Sequence, residues 1–449
     1  MTSAPATDAV SQTRLKCDLL VIGAGSGGLS VAAGASQMGA SVVLLEGHRM
    51  GGDCLNYGCV PSKALLASAK AAYGQSTSAA FGVAEVAPTV DYAAAQTHVQ
   101  NTIDAITPMD SQERFEGFGV RVIREFGRFV SPTEVQAGNH VIRARRVVIA
   151  TGSVPLVPPV PGLETVPYET NETLFDLSHR PEHLLIIGGG PIGIEMAQAH
   201  IRLGSRVTVI EGERALGGDD PEAAAVVLDA LRNEGVVIAE NAMAAQISGE
   251  AGAIEVKTRD GRRFTGSHLL VAVGRKSNTD RLDLAAGGIT PSKTGIKVDA
   301  ALRTSNRRVY AIGDVAGGMQ FTHVAGYHAG VIIRSALFGL PSRAQELHLP
   351  RATYSDPERA QGGLTETEAR ARYGDGVELA RFDFAHNDRA LAERKTRGFI
   401  KVMVVKGRLV GATIVGHQAG ELISLWSLAL ANRLKMSQVA AMVAPYPSI

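Results

Sequence analysis

Two of the three cysteines in this chain, Cys54 and Cys59, lie close together in the segment GGDCLNYGCVPSK, residues 51–63. Paired thiols can hold a metal, brace a fold or carry electrons. Zinc asks for about four ligands. The only other cysteine, Cys17, sits at the edge of a strand-like run, and neither a second C-x-x-C nor a close Cys/His cluster accompanies the pair. Three cysteines build no disulfide framework, and no positively charged segment followed by an apolar core opens the sequence. The expected compartment is therefore the cytoplasm, where purely structural disulfides are rare. The residue types favour a dithiol that cycles. Sulfurs at this spacing can meet, since bridged Cα atoms need come only within roughly 7 Å. A helix starting around Pro61 would turn its N-terminal amides toward the pair and favour thiolate character. Cys17 reads as a small buried apolar residue.

A cycling dithiol needs an electron source, and the rest of the chain supplies a candidate. In DLLVIGAGSGGLSVAAGASQMGASVVLLEG, a buried strand leads into Gly23, Gly25 and Gly28 in G-x-G-x-x-G spacing. An alanine-rich helical run follows, and a second strand ends at Glu46. The first glycine permits the tight turn, the second admits a pyrophosphate to the helix N-terminus, and the third lets helix and strand pack closely. The terminal acid can accept from a ribose hydroxyl pair. The same pattern returns as HLLIIGGGPIGIEMAQAHIRLGSRVTVIEG, with Gly188, Gly190, Gly193 and Glu211 at the same spacing. Two dinucleotide sites in one chain suggest a flavin and a nicotinamide that exchange a hydride.

Strand-like pieces ending in glycine follow each copy: RRVVIATGS, HLLVAVGRKSN and RVYAIGDVAG. In the last, Asp314 precedes the helical run THVAGYHAGVIIRSALFG, so its carboxylate can hold a cofactor hydroxyl or simply cap a turn. Beyond the linker LPSRAQELHLPRAT, FIKVMVVKGRLVGATIVG reads as two strands across a KGR turn. AGELISLWSLALANRLKM reads as a helix able to pack on a sheet or on another subunit. With 449 residues and 45% hydrophobic content there is room for two to four domains. The net charge of +1 and the lack of a dense basic stripe argue against nucleic acid. No clean apolar 20-mer argues for a membrane span.

With GAGSGG, GGGPIGIE, ATGS, VGR and AIGD in this order, GGDCLNYGCVPSK resembles the active-site signature of the class I pyridine nucleotide-disulfide oxidoreductases. This group includes dihydrolipoyl dehydrogenase, glutathione reductase and mercuric reductase, and the resemblance covers nearly the whole chain. It implies an α/β fold of two Rossmann-like FAD/NAD(P)-binding domains plus an α+β C-terminal dimerisation domain. The implied layout is FAD domain over 1–149, NAD(P) domain over 150–270, a return to the FAD domain over 271–345, and an interface domain over 346–449 forming a homodimer. By resemblance, Cys54 is the interchange thiol and Cys59 the flavin-proximal thiol of the charge-transfer species. Lys63 pairs with Glu195 beside the flavin. FAD is held by Gly23, Gly25, Gly28, Glu46 and Asp314, with Gly52, Thr151, Gly152, Gly274, Arg275 and Gly313 from the shared motifs around the cofactors. Gly188, Gly190, Gly193 and Glu211 receive the nicotinamide nucleotide, and Glu211 favours NAD(H) over NADP(H), with the nearby Arg214 as the residue able to reverse that.

The pattern departs from its relatives at the end. Disulfide-reducing members carry a histidine-proline motif followed by a glutamate, whereas here VAPYPSI places Tyr446 before Pro447. A further helix is expected beyond Ile449. A tyrosine at this place is similar to mercuric reductases, yet their terminal vicinal cysteines and N-terminal C-x-x-C domain do not appear. The expected function is a dihydrolipoyl dehydrogenase-like disulfide oxidoreductase acting on a small disulfide or dithiol. The alternatives are a mercuric reductase-like enzyme acting on a thiol-bound metal ion, and a redox-inactive FAD/NAD-binding sensor or assembly protein. His323 and His328 are expected to flank a helix on the flavin side, and His417 to be a supporting or interface residue.

Overall fold

The apolar run DLLVI forms the end of β1 (Thr13–Ile22), the strand around which the first glycine motif is organised. The computed structural model describes residues 12–449. They fall into two units, one drawn from the chain up to Val60, Thr102–Val154 and Arg275–Ala344, the other from Pro61–Asn101, Pro155–Gly274 and Gln345–Ile449.

In the first unit β1 pairs in parallel with β2 (Val42–Leu45) and with β6 (His140–Ile149). β3 (Arg121–Ile123) extends the sheet beyond β2, and a strand at Val309–Ala311 lies parallel to β6. β4 (Arg128–Ser131) and β5 (Glu134–Ala137) add an antiparallel edge. Both faces of β1 are covered, which is why Leu19 to Ile22 are apolar without alternation. Leu19 and Val21 pack with Leu29, Val31 and Ala32 of α1 (Ser26–Gln37) and Ile332 of the helix Thr322–Phe338. Leu20 and Ile22 pack with Phe129, Val135 and Ile289 on the other side.

Gly23, Glu46 and Ala150 directly follow β1, β2 and β6, and Ile312 and Gly313 follow the strand Val309–Ala311. The predicted site residues thus gather at the carboxyl ends of adjacent parallel strands, the place where open α/β sheets bind ligands. Close packing fixes the motif's third glycine. A Cβ on Gly28 would overlap the carbonyl oxygen of Gly23. Gly28→Ala is therefore expected to destabilise this unit by about 1–3 kcal/mol or more. The urea midpoint should fall, and an unchanged midpoint would show that the turn relaxes freely.

The second unit repeats the device. Strands Val237–Ala239, Arg206–Ile210, His183–Ile187 and His268–Val271 form a parallel sheet in that order. The helix Pro191–Arg202 follows, with Gly190 at its N-cap and Pro191 in its first turn. A Cβ on Gly193 would strike the Gly188 oxygen, the counterpart of the Gly28 contact. The C-terminal segment builds a five-stranded antiparallel sheet in the order Arg351–Thr353, Glu358–Gly363, Arg408–Gly416, Phe399–Val405, Val377–Asp383. The KGR turn joins two of these strands, with Lys406 and Gly407 at φ 50° and 70°. Helix Ala419–Ala431 seals the sheet with Ile423 and Leu430 against Ala412 and Ile414. Mixed α and β layers are present in both units, as the sequence patterning implies.

Candidate active site

The paired cysteines are carried on two helices joined by a tight turn. Gly51 and Gly52 have φ of 84° and 61°, conformations that favour glycine, and Gly51 bridges to Gly25. The short α2 (Gly52–Asn56) then carries Cys54, and Asn56 Nδ2 donates to the carbonyls of Met50 (3.0 Å) and Gly52 (2.9 Å), closing the turn. The next helix, α3 (Cys59–Gln75), starts at Cys59 itself, two residues before the expected Pro61. Proline is accepted anywhere in a first turn, whose N–H groups have no partner inside the helix.

The Cys54 and Cys59 thiols hydrogen-bond to each other. The bond to Cys59, and then burial, push the Cys54 thiol well above the ordinary range while both sulfurs are thiols. A residue that sequence reasoning missed also reaches the pair. Thr322 Oγ1 lies 3.4 Å from Cys59 Sγ and also bonds Cys54, on which it acts in the lowering direction. Its signal was available: Thr322 is the first residue of the helix that follows AIGD. Thr322→Val should slow alkylation of the reduced pair near neutral pH by roughly fivefold, the worth of one hydrogen bond of about 1 kcal/mol. Iodoacetamide kinetics against pH measure this, and unchanged rates would deny the hydroxyl a role. Cys17 lies in β1, its thiol raised to about 12 by burial, which suits an inert packing residue.

Around the first glycine turn the structure gathers the residues expected to hold FAD. Gly25 is the N-cap of α1, and a Cβ placed on it would meet only Gly52 Cα, at 3.9 Å. Glu46 accepts from Ala24 N and His48 N, both at 2.7 Å. Thr151 Oγ1 donates to the Asn278 carbonyl (2.7 Å), and Asn278 N donates to Gly152 O (3.0 Å). Gly23, Glu46, Gly127, Thr151, Asn278 and Arg281 line an open cleft here. Asp314 is not a helix cap. Its carboxylate accepts from Ser153 Oγ at 2.5 Å, and burial holds it above the usual carboxylate range. Arg275 donates through Nε to Ser153 Oγ (2.6 Å), lies 4.0 Å from Asp314, and forms an ion pair with Asp53 at 3.0 Å. An open helix N-terminus, a carboxylate beside it and a cleft along the strand ends fit the diphosphate and ribose of a dinucleotide such as FAD.

The second unit holds the matching set. Glu211 accepts from Gly189 N (2.7 Å) and Glu213 N (2.8 Å), the same pair of bonds that Glu46 makes. Gly274 follows the strand His268–Val271 and its carbonyl accepts from Leu156 N (3.0 Å). Arg214 is exposed. Lys63 Nζ, one turn along α3 from Cys59, pairs with Glu195 Oε2 at 2.7 Å. The other Glu195 oxygen accepts from Tyr354 N (2.8 Å), and the Lys63 ammonium stands 4.6 Å from the centre of the Tyr354 ring. Further along the Glu195 helix, Gln198 bonds the Asp356 backbone at 2.7 and 2.8 Å and Arg202 pairs with the Asp356 carboxylate at 3.1 Å. One helix face is thereby fastened to the segment Tyr354–Asp356.

Tyr446 is 83% exposed, and its hydroxyl donates to Asp388 Oδ2 at 2.9 Å, a bond that raises its pKa further. His328 is buried inside the helix Thr322–Phe338 and its Nδ1 accepts from Gly313 N (3.2 Å), so it braces the strand end rather than flanking the helix. His323, near the start of that helix, stacks on Phe321 with ring centres 5.4 Å apart. His417 lies 3.8 Å from Glu393, its pKa lowered mainly by burial.

Known proteins are similar to this chain in sequence and in fold. Residues 17–329 match the pyridine nucleotide-disulphide oxidoreductase family, and residues 349–449 match that family's dimerisation domain, which supports a homodimer. A mercuric reductase of Streptomyces lividans is 33% identical over 96% of this chain and 93% of its own length. A dihydrolipoyl dehydrogenase of Bacillus subtilis is 31% identical over 96% of each chain. The Cu(II) complex of the HOCl-induced flavoprotein disulfide reductase RclA from Escherichia coli superposes with a TM-score of 0.86 at 26% identity, covering 96% of this chain and 97% of that one. No helix among the described residues is long and apolar enough to cross a membrane. With both family models matched in order over a site of this design, the chain belongs to the pyridine nucleotide-disulphide oxidoreductases and is an FAD-dependent enzyme that works with a pyridine nucleotide.

Proposed function

We propose that the protein is an NADH:disulfide oxidoreductase, dihydrolipoyl dehydrogenase-like in its chemistry, whose working groups are Cys54 and Cys59. The observation that carries this reading is the hydrogen-bonded thiol pair, one member on α2 and the other at the start of α3. Bound FAD supplies the means of taking a hydride from nicotinamide and passing two electrons to the Cys54–Cys59 disulfide. Reduced Cys54 then attacks one sulfur of the substrate disulfide, whose S–S bond breaks as a mixed disulfide forms. The first product leaves as a thiolate and takes a proton. Cys59 next attacks the Cys54 sulfur, releases the second thiol and restores the internal disulfide. Glu46, Gly25 and Asp314 would hold the flavin cofactor, and Lys63 is kept in place as a cation by Glu195 and Tyr354. The working form is a cytoplasmic homodimer.

A second reading, mercuric reductase-like, is favoured by Tyr446, because a soft metal binds thiolates without needing a protonated sulfur leaving group. Separate turnover assays with lipoamide, glutathione disulfide and thiol-complexed mercuric ion decide between them, and activity with none of the three would sink both.

The preference for NADH rests on Glu211. Its carboxylate accepts from ribose hydroxyls and repels a 2'-phosphate, while Arg214 stays in solvent. NADH should exceed NADPH in the rate constant for flavin reduction per unit concentration by about tenfold or more. Stopped-flow reduction with each nucleotide checks it; a clear NADPH preference would show that Arg214 turns inward.

A further inference from the structure

The flavin cradle contains an acid that no step above uses. Asp53 follows Gly52, whose Cα abuts Gly25 so closely that a Cβ on Gly52 would meet it at 2.7 Å. Gly25 caps the N-terminus of α1, where general electrostatics put a diphosphate. A carboxylate on the rim of a diphosphate site is an electrostatic conflict. The structure pairs it with Arg275, at 3.0 Å from Asp53 Oδ1 and anchored by Ser153 Oγ and the Ser153 carbonyl, the latter at 2.9 Å. The Arg275 side chain is only 12% exposed, so its attraction for an anion is less screened than that of a surface arginine.

We propose that Asp53 competes with the flavin diphosphate for Arg275 and so sets how tightly the cofactor is held. The inference rests on the reading that places the diphosphate at the Gly25 turn. One guanidinium then serves two anions, and each contact it makes to the diphosphate is weakened by its bond to Asp53. Removing the Asp53 charge releases Arg275 and removes a repulsion at the same time.

The test uses the full chain, stripped of flavin with a chaotrope and titrated with FAD by flavin fluorescence. Asp53→Asn should bind FAD about tenfold more tightly than the native protein. Asp53→Ser, with a smaller uncharged side chain, should do the same, which guards against a folding defect in one variant. ADP, which carries the diphosphate without the flavin ring, should gain in parallel, whereas riboflavin, which lacks it, should bind with unchanged affinity. Arg275→Ala should weaken FAD binding more in the Asp53→Asn background than in the native one, because only there is the guanidinium fully available. Unchanged or weaker FAD binding by both Asp53 variants, equal Arg275→Ala losses in the two backgrounds, or an equal gain for riboflavin would overturn the proposal. A stripped native chain that takes up no FAD would overturn the flavin-site reading instead.

Discussion

Replacing Cys54 with serine is expected to lower turnover of any disulfide substrate by on the order of 10⁴-fold while leaving flavin reduction by NADH fast. A hydroxyl at this position neither attacks a disulfide sulfur nor forms the internal bridge. Cys59→Ser should abolish turnover as severely, and it separates the two sulfurs by a second signal. In the Cys54→Ser protein the remaining Cys59 sulfur should retain a long-wavelength absorbance beside the oxidised flavin. In Cys59→Ser that absorbance should vanish. Both variants keep the Asn56 bonds that close the turn, so near-normal folding is expected. Anaerobic dithionite titration reads the same distinction: about four electrons per site in the native protein and about two in either variant. An absorbance band that survives Cys59→Ser would reverse the assignment.

Dihydrolipoamide oxidation should be slow in this chain, by roughly 10² to 10⁴ relative to an enzyme with a working general base. An unperturbed histidine near 6.5 exchanges protons at neutral pH, whereas a tyrosine starts near 10. Tyr446 is moved further from neutrality by its bond to Asp388, which stabilises the protonated hydroxyl. The group therefore stays protonated through the physiological range and accepts a proton from an incoming dithiol only at alkaline pH. The rate should therefore climb with pH well above 8, while flavin reduction by NADH stays flat. Tyr446→His should recover part of the lost rate and move the pH dependence toward neutrality. Fast, pH-insensitive oxidation of dihydrolipoamide by the native chain would show that another group does this work.

The features legible in the sequence are those fixed by local sterics. Gly28 and Gly193 were readable because each excludes a Cβ against an oxygen five residues earlier, a constraint carried wholly within one strand-turn-helix unit. The cysteine pair was readable from its residue types and spacing within one short segment. Thr322 beside Cys59 was marked only by its place at the start of the helix after AIGD. Tyr354 beneath Lys63 and Arg275 against Asp53 were not legible, since each joins residues more than a hundred positions apart and no local pattern marks such a meeting. Asp314 shows the limit most clearly. A turn aspartate and a cofactor ligand look alike in AIGDVAG, and the bond that Ser153 makes to its carboxylate comes from a residue 161 positions away. The start of α3 was misplaced because proline marks a first turn without saying which of its positions it fills.

Glu46 and Glu211 each give both carboxylate oxygens to backbone amides, one in the glycine turn and one just past the strand. On the proposed reading, the side chain that would read the ribose is also a rivet of its own loop. Changing the nicotinamide preference by deleting Glu211 would therefore strand two amide hydrogens and loosen the turn. A substitution that keeps the acid and adds a cation beside it leaves both amide bonds intact.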